Sequence, residues 1–222
     1  MANDRISLSI ILLTVLVFFA AARPEPGRAA YVRPVSIAPP GQAMPQPYHR
    51  HALVNLSRGK FLVARRGMRD ARFAGTVILL LEYGDQGVAG VIINRPTKAS
   101  LAEAMPETKG GRFPKDRVYI GGPVDLDIFL MLVKGASQPP ASQHVFGDVY
   151  VTSNRETFGA VAGDEGRAGR FRLYAGYAGW AKAQLDNEVA RGDWYVADGN
   201  PEDIFDADAA DVWGRIMRGL EE

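Results

Sequence analysis

Residues 76–94 read TVILLLEYGDQGVAGVIIN. Thr76 to Tyr83 is an unbroken apolar run rich in β-formers, and Val88 to Asn94 is a second one. Between them, Gly84-Asp85-Gln86-Gly87 supplies turn residues, so the stretch predicts a β-hairpin. Both runs are apolar at odd and even positions alike. Strands of that kind are covered on both faces, which puts the hairpin at the centre of a sheet. Arg95-Pro96 is expected to end the second strand, because proline has no N–H for a ladder.

Working outward, Lys60 to Ala64 reads as a short strand before the hairpin. After it, Ser100 and Glu103 fit a capping box that opens a short helix, stopped at Met105-Pro106. Arg117–Ile120, Ile128–Val133 and Asp148–Val151 read as strands, the first leading into Gly121-Gly122-Pro123. Ser153 and Glu156 fit a second capping box, with a helix to about Ala162. Phe171–Tyr177 reads as a strand, Trp180–Arg191 as a helix capped by Gly192, and Trp194–Val196 as a last strand. Asp208–Leu220 predicts a terminal helix with Val212, Ile216 and Leu220 on one apolar stripe. Strands in hairpin spacing and helices gathered late favour α+β with a mainly antiparallel sheet.

Three regions differ in composition. Residues 1–22 carry Arg5, an apolar run from Ile6, and Ala20-Ala21-Ala22, the pattern of a secretory signal peptide or membrane anchor. The alternative is a start codon placed upstream of a cytoplasmic domain. Arg23, Arg28 and Arg33 follow the run, which favours a cytoplasmic downstream side if the segment stays uncleaved. Residues 23–47 hold seven of the fourteen prolines and read as a tether. Residues 48–222 are read as a single folded domain.

Lys plus Arg is 26 against 25 for Asp plus Glu, so the charge excess of a nucleic-acid footprint is missing. There is no cysteine, which excludes disulfides, thiolate metal sites and thiol nucleophiles. His49 and His51 flank Arg50 and His144 is remote, too few ligands for a metal centre. No cofactor is expected.

Four blocks carry a family resemblance: FLVARRGMRDARFAGTVILLLEYGDQGVAGVIINRP at Phe61–Pro96, GGPV at Gly121–Val124, GYAGWAKAQLDNEVARGDWY at Gly176–Tyr195, and Asp203-Ile204-Phe205 followed by Trp213. In this order the chain resembles the YqgE/AlgH family of uncharacterised bacterial proteins across nearly all of residues 58–222. The resemblance implies a forked sheet curled into a pseudo-barrel with a few flanking helices. It implies no established reaction, and part of the family's name reflects a proposed role in regulating alginate production. Residues 1–47 lie outside the match, since typical members look cytosolic. The chain departs at Ala183, where the family usually has Gly, and at Asp186, where it usually has Glu.

On a helix, Trp180, Gln184, Glu188 and Arg191 fall along one face. One reading is a polar groove with Trp180 as a stacking wall and Gln184 and Glu188 as hydrogen-bonding groups. The structural alternative buries Trp180, ties Gln184 to a loop and pairs Glu188 with Arg191. Gly121 and Gly122 could form a backbone nest for an anion or a simple turn. Asn94 and Arg95 could receive a carboxylate or phosphate, or could hold turn backbone and meet solvent.

The expected function is a non-catalytic binding or regulatory module at the cell envelope, exported to the periplasm or anchored in the inner membrane. Its partner would be a protein or small ligand near Trp180, Gln184, Glu188 and the Gly121–Pro123 turn. The alternatives are a hydrolase-type enzyme with Glu188 or Asp186 as general base, and a cytosolic transcriptional regulator, which the charge and the absence of a helix-turn-helix oppose.

Overall fold

The structure is a computed structural model, and it describes residues 55–105, 117–163, 170–205 and 208–221. The apolar segment 1–22 and the tether 23–47 lie outside the described residues.

The central hairpin is formed by β2 (Val77–Gly84) and β3 (Gly87–Ile92), paired antiparallel with Ile78 opposite Ile92. Residues 77–81 of β2 and 88–92 of β3 are all buried, as expected for strands covered on both faces. On one side β2 meets β1 (Lys60–Ala64), and β1 meets β10 (Trp194–Asp198). On the other side β3 meets the C-terminal end of β9 (Phe171–Trp180).

At β9 the sheet forks. Residues 178–180 of β9 pair with β3, whereas residues 173–175 pair in parallel with β5 (Arg117–Ile120). The opposite edge of β9 carries β6 (Val124–Lys134), followed by β8 (Val149–Thr152) and β7 (Gln143–Phe146). Gly121 lies at the branch point: its N–H donates to Ala175 O (2.8 Å) and its carbonyl accepts from Ile92 N (2.7 Å). A Cβ there would stand 2.2 Å from Gly176 O, and one on Gly122 would stand 2.1 Å from the Tyr177 carbonyl carbon. Only glycine allows that backbone crossing.

The sheet curls into a half-barrel. Its ends approach where Arg58 Nη1 donates to His144 O (3.0 Å) and Phe146 packs on Gly59 and Gly199. The concave side holds the main core, including Phe61, Leu79, Val91, Leu132 and Tyr174. Two helices close it: α4 (Pro201–Phe205) with Ile204 and Phe205, and α5 (Ala209–Glu221) with Val212 and Met217. A second cluster, Leu62, Ile78, Leu80, Trp180, Leu185 and Trp194, packs beneath α3 (Lys182–Ala190). A third packs α1 (Leu101–Ala104) and α2 (Arg155–Gly163) against β5, β6 and β9.

The α+β class, the antiparallel dominance and the curled, forked sheet agree with the sequence. β3 ends at Ile92, before Arg95-Pro96, as expected, and Pro96 opens a strand the sequence reading did not include, β4 (Pro96–Ser100), beside β5; proline fits a strand's first position. Two local expectations change. Ser153 is not the cap of α2; Asn154 Oδ1 accepts from Thr157 N (2.8 Å) instead. Trp180 ends β9 rather than opening a helix, because its ladder with Val88 of β3 holds it extended. Finally, β7 and α4 have too short a pattern to stand out in the sequence.

Candidate functional site

A groove of about 890 Å³ opens where the β1–β2 loop faces the start of α3 and the α3–β10 turn. The loop is short of apolar residues and rich in arginine, with Arg65, Arg66, Arg69 and Arg72 within eight positions. It keeps its shape through backbone turns such as Met68 N to Arg65 O and Phe73 N to Asp70 O.

Two residues behind the groove fix that loop. Asn94 Oδ1 accepts from Val77 N (2.9 Å), and its Nδ2 donates to Gly75 O (2.9 Å). Arg95 donates to the carbonyls of Arg72 and Ala74. Neither residue lines the groove. Gly121 and Gly122 also lie outside it, though Pro123 and Val124, the next two residues, form part of its rim. The Gly121 amide is already bonded to Ala175, so it does not contribute a free N–H to a nest.

Trp180, Gln184 and Glu188 do come together, by a route other than one helix face. Trp180 leaves the end of β9, Trp194 enters from the start of β10, and Glu188 stands on α3 between them. Glu188 Oε2 accepts from Trp180 Nε1 (3.1 Å) and Trp194 Nε1 (3.0 Å), while Oε1 accepts from Gln184 Nε2 (2.9 Å). Glu188 therefore does not pair with Arg191, and Gln184 does not tie down a loop. Arg191 pairs with Asp193 (2.6 Å). The indoles meet edge to face at 6.2 Å, and Phe73 stacks on Trp180 at 5.8 Å. Trp180 is 7% exposed, so it is a groove wall already covered by Phe73 rather than an open stacking surface.

The electrostatics are uneven. Asp70 engages Arg72 through two oxygens, at 3.0 and 2.7 Å, and the arginine's hydrogen bonds hold the carboxyl below its usual range. Arg66 pairs with Glu221 (3.1 Å). Arg65 instead lies over the Tyr195 ring, 4.0 Å from its centroid. Beside the groove, Asp186 accepts from Tyr83 Oη (2.6 Å) and Lys182 Nζ (3.0 Å). The tyrosine's donation, aided by the lysine, holds the Asp186 carboxyl below its ordinary value. Among the described residues no group of His, Cys, Asp and Glu is placed to hold a metal, and no helix is long and apolar enough to cross a membrane.

The arginines and Phe73 were not singled out by the sequence as site residues. The signal was present as four arginines in one loop, but only the fold turns that loop towards α3.

Comparison with known proteins places this geometry. An AlgH-like family model matches residues 61–222. A UPF0301 protein of Mycobacterium tuberculosis is 33% identical over 181 residues, covering 78% of this chain and 87% of the relative. One from Ralstonia pickettii is 36% identical over 158 residues, covering 69% and 82%. The solution structure of the AlgH protein from Pseudomonas aeruginosa superposes with a TM-score of 0.61 at 28% identity, covering 74% of this chain and 88% of that one. The crystal structure of protein DIP2367 from Corynebacterium diphtheriae gives 0.63 at 27%, covering 74% and 87%. With all four blocks inside the matched span and the forked half-barrel beneath them, the chain belongs to the AlgH-like family.

Proposed function

We propose that this protein is a non-catalytic binding or regulatory module held at or beyond the inner membrane, with a protein or small ligand seated in the groove. One observation carries the reading. Gln184, Glu188 and the two indoles come from three separate elements, yet they meet in one concavity with five arginines. Concave sites with few convergent polar groups are the usual form of a binding site.

The residues that would serve a hydrolase are engaged elsewhere. Both oxygens of Glu188 accept hydrogen bonds. Asp186 is bonded to Tyr83 and Lys182, and its lowered pKa makes it a weak base. The envelope location is supported by the apolar residues 6–22, which end in Ala20-Ala21-Ala22, and by the proline-rich tether.

The test uses the full chain with a C-terminal tag. Cell fractionation, intact mass and protease access would give its location and any cleavage. Recovery of bound partners from wild type and from Gln184→Arg, a bulky change at an exposed lip position, would address the groove. A partner held by wild type and lost by the variant supports the reading. Equal recovery from both removes the groove from it, and a wholly cytoplasmic, uncleaved protein removes the envelope. Steeply salt-dependent DNA binding would favour transcriptional control instead.

A further inference from the structure

Five arginines line the groove, and three of them have a carboxylate partner: Arg66 with Glu221, Arg72 with Asp70, and Arg191 with Asp193. The carboxylates on the groove wall are therefore in use. Asp70 and Asp193 hold the arginines just named, and Glu188 holds two indoles and an amide. Arg65 and Arg69 have no ion pair among the described residues.

Arg65 is the more telling of the two. Its Nε is buried and meets no acceptor among the described residues. A buried donor without an acceptor is costly, and the Tyr195 ring beneath the half-buried guanidinium offsets only part of that cost. Beside it stands Gly192, at φ +82°, where a Cβ would come within 3.3 Å of Arg65 Nη1. Arg65 and Gly192 both line the groove. Arg69 is exposed on the same loop, four residues along.

Resting on the groove being the binding site, we propose that Arg65 and Arg69 receive an oxyanion, a phosphate monoester or a carboxylate carried by the bound partner. The planar fork of an arginine matches both groups in a bidentate manner. An oxyanion on the outer guanidinium nitrogens would supply the counter-charge that both residues lack among the described residues. The remaining wall, Phe73 with Trp180 and Trp194, would cover an apolar part of the same partner.

The experiment is calorimetric titration of the full chain at low salt with methyl phosphate and, separately, acetate, against sodium chloride at matched ionic strength. The variants are Arg65→Gln, Arg69→Gln and, as a charge-matched control, Arg218→Gln on the exposed face of α5. The expected result is saturable binding that weakens at least about tenfold in Arg65→Gln, weakens in Arg69→Gln, and is unchanged in Arg218→Gln. Tighter methyl phosphate would assign a phosphate-bearing partner, tighter acetate an acidic peptide or organic acid. Arg69→Gln alters an exposed side chain, so it reports even if Arg65→Gln fails to fold. Absent saturation, or equal weakening in Arg218→Gln, overturns the oxyanion. If partner recovery still depends on Gln184 in that event, the groove stands and only its anion site falls; if that dependence is also absent, both fall.

Discussion

Glu188 Oε2 accepts the indole N–H of Trp180 at 3.1 Å and that of Trp194 at 3.0 Å, so one carboxylate oxygen joins β9, β10 and α3. Both indoles are buried, at 7% and 3% exposure. Removing the acceptor would leave two buried donors unmatched. Glu188→Ala is expected to cost about 2–4 kcal/mol, read from urea unfolding followed by tryptophan fluorescence. Glu188→Gln keeps one acceptor oxygen and should cost less. Equal stability of Glu188→Ala and wild type would mean that the indoles do not depend on this carboxylate.

Glycine at the fork makes a sharper prediction. A Cβ on Gly122 would overlap the Tyr177 backbone at 2.1 Å, where no side-chain rotation can relieve it. Gly122→Ala is expected to destabilise the domain by about 3 kcal/mol or more, or to prevent its folding. Gly84→Ala meets nothing within 4 Å and should change stability by less than about 1 kcal/mol. Thermal melts of the pair decide the matter, and similar melting temperatures would contradict the crossing.

Acid sensitivity follows from Asp186. Its carboxyl is held below the ordinary 3.8 by the Tyr83 hydroxyl first and by Lys182 second. A lowered folded value means that the bonds stabilise the fold above the unfolded value, about pH 3.9. That contribution is lost as pH falls through the folded value. Asp186→Asn should therefore show a flatter loss of stability between about pH 5 and pH 2. The site is partly exposed, so the difference should be small. Urea midpoints measured across that range would test it, and parallel curves would count against it.

Asn94 offers a way to disturb the groove from behind. Its side chain is bonded to Val77 N and Gly75 O, which anchors the arginine-bearing loop without touching the groove. Asn94→Ala should cost about 1–3 kcal/mol and also weaken partner binding at temperatures where the domain remains folded. Unaltered binding with the stability loss intact would show that the loop holds its shape by other means.

Much of this was legible in the residues. The runs flanking Gly84–Gly87 announced the central hairpin, because strands buried on both faces have no polar alternation to hide them. Ser100 and Glu103 announced α1, and their reciprocal bonds are present. Trp180 reads as helical in the sequence because its spacing to Gln184 and Glu188 suits a helix face, while the ladder to Val88 depends on a strand some ninety residues away. The meeting of Glu188 with both indoles needed the same long-range information. So did the arginine loop: its composition is local, but its pairing, which leaves Arg65 and Arg69 without an ion pair among the described residues, is set by Glu221 from a distant element as well as by Asp70.

The most direct measurement is a ¹⁵N NMR titration of the arginine Nε–H groups in the full chain with methyl phosphate, repeated with acetate. The expected result is a saturable shift of Arg65 and Arg69, with Arg172, whose guanidinium is bonded to Ile204 O and Phe205 O in the core, left in place. Uniform drift of all arginine signals, or no shift at Arg65, would contradict an oxyanion site in the groove.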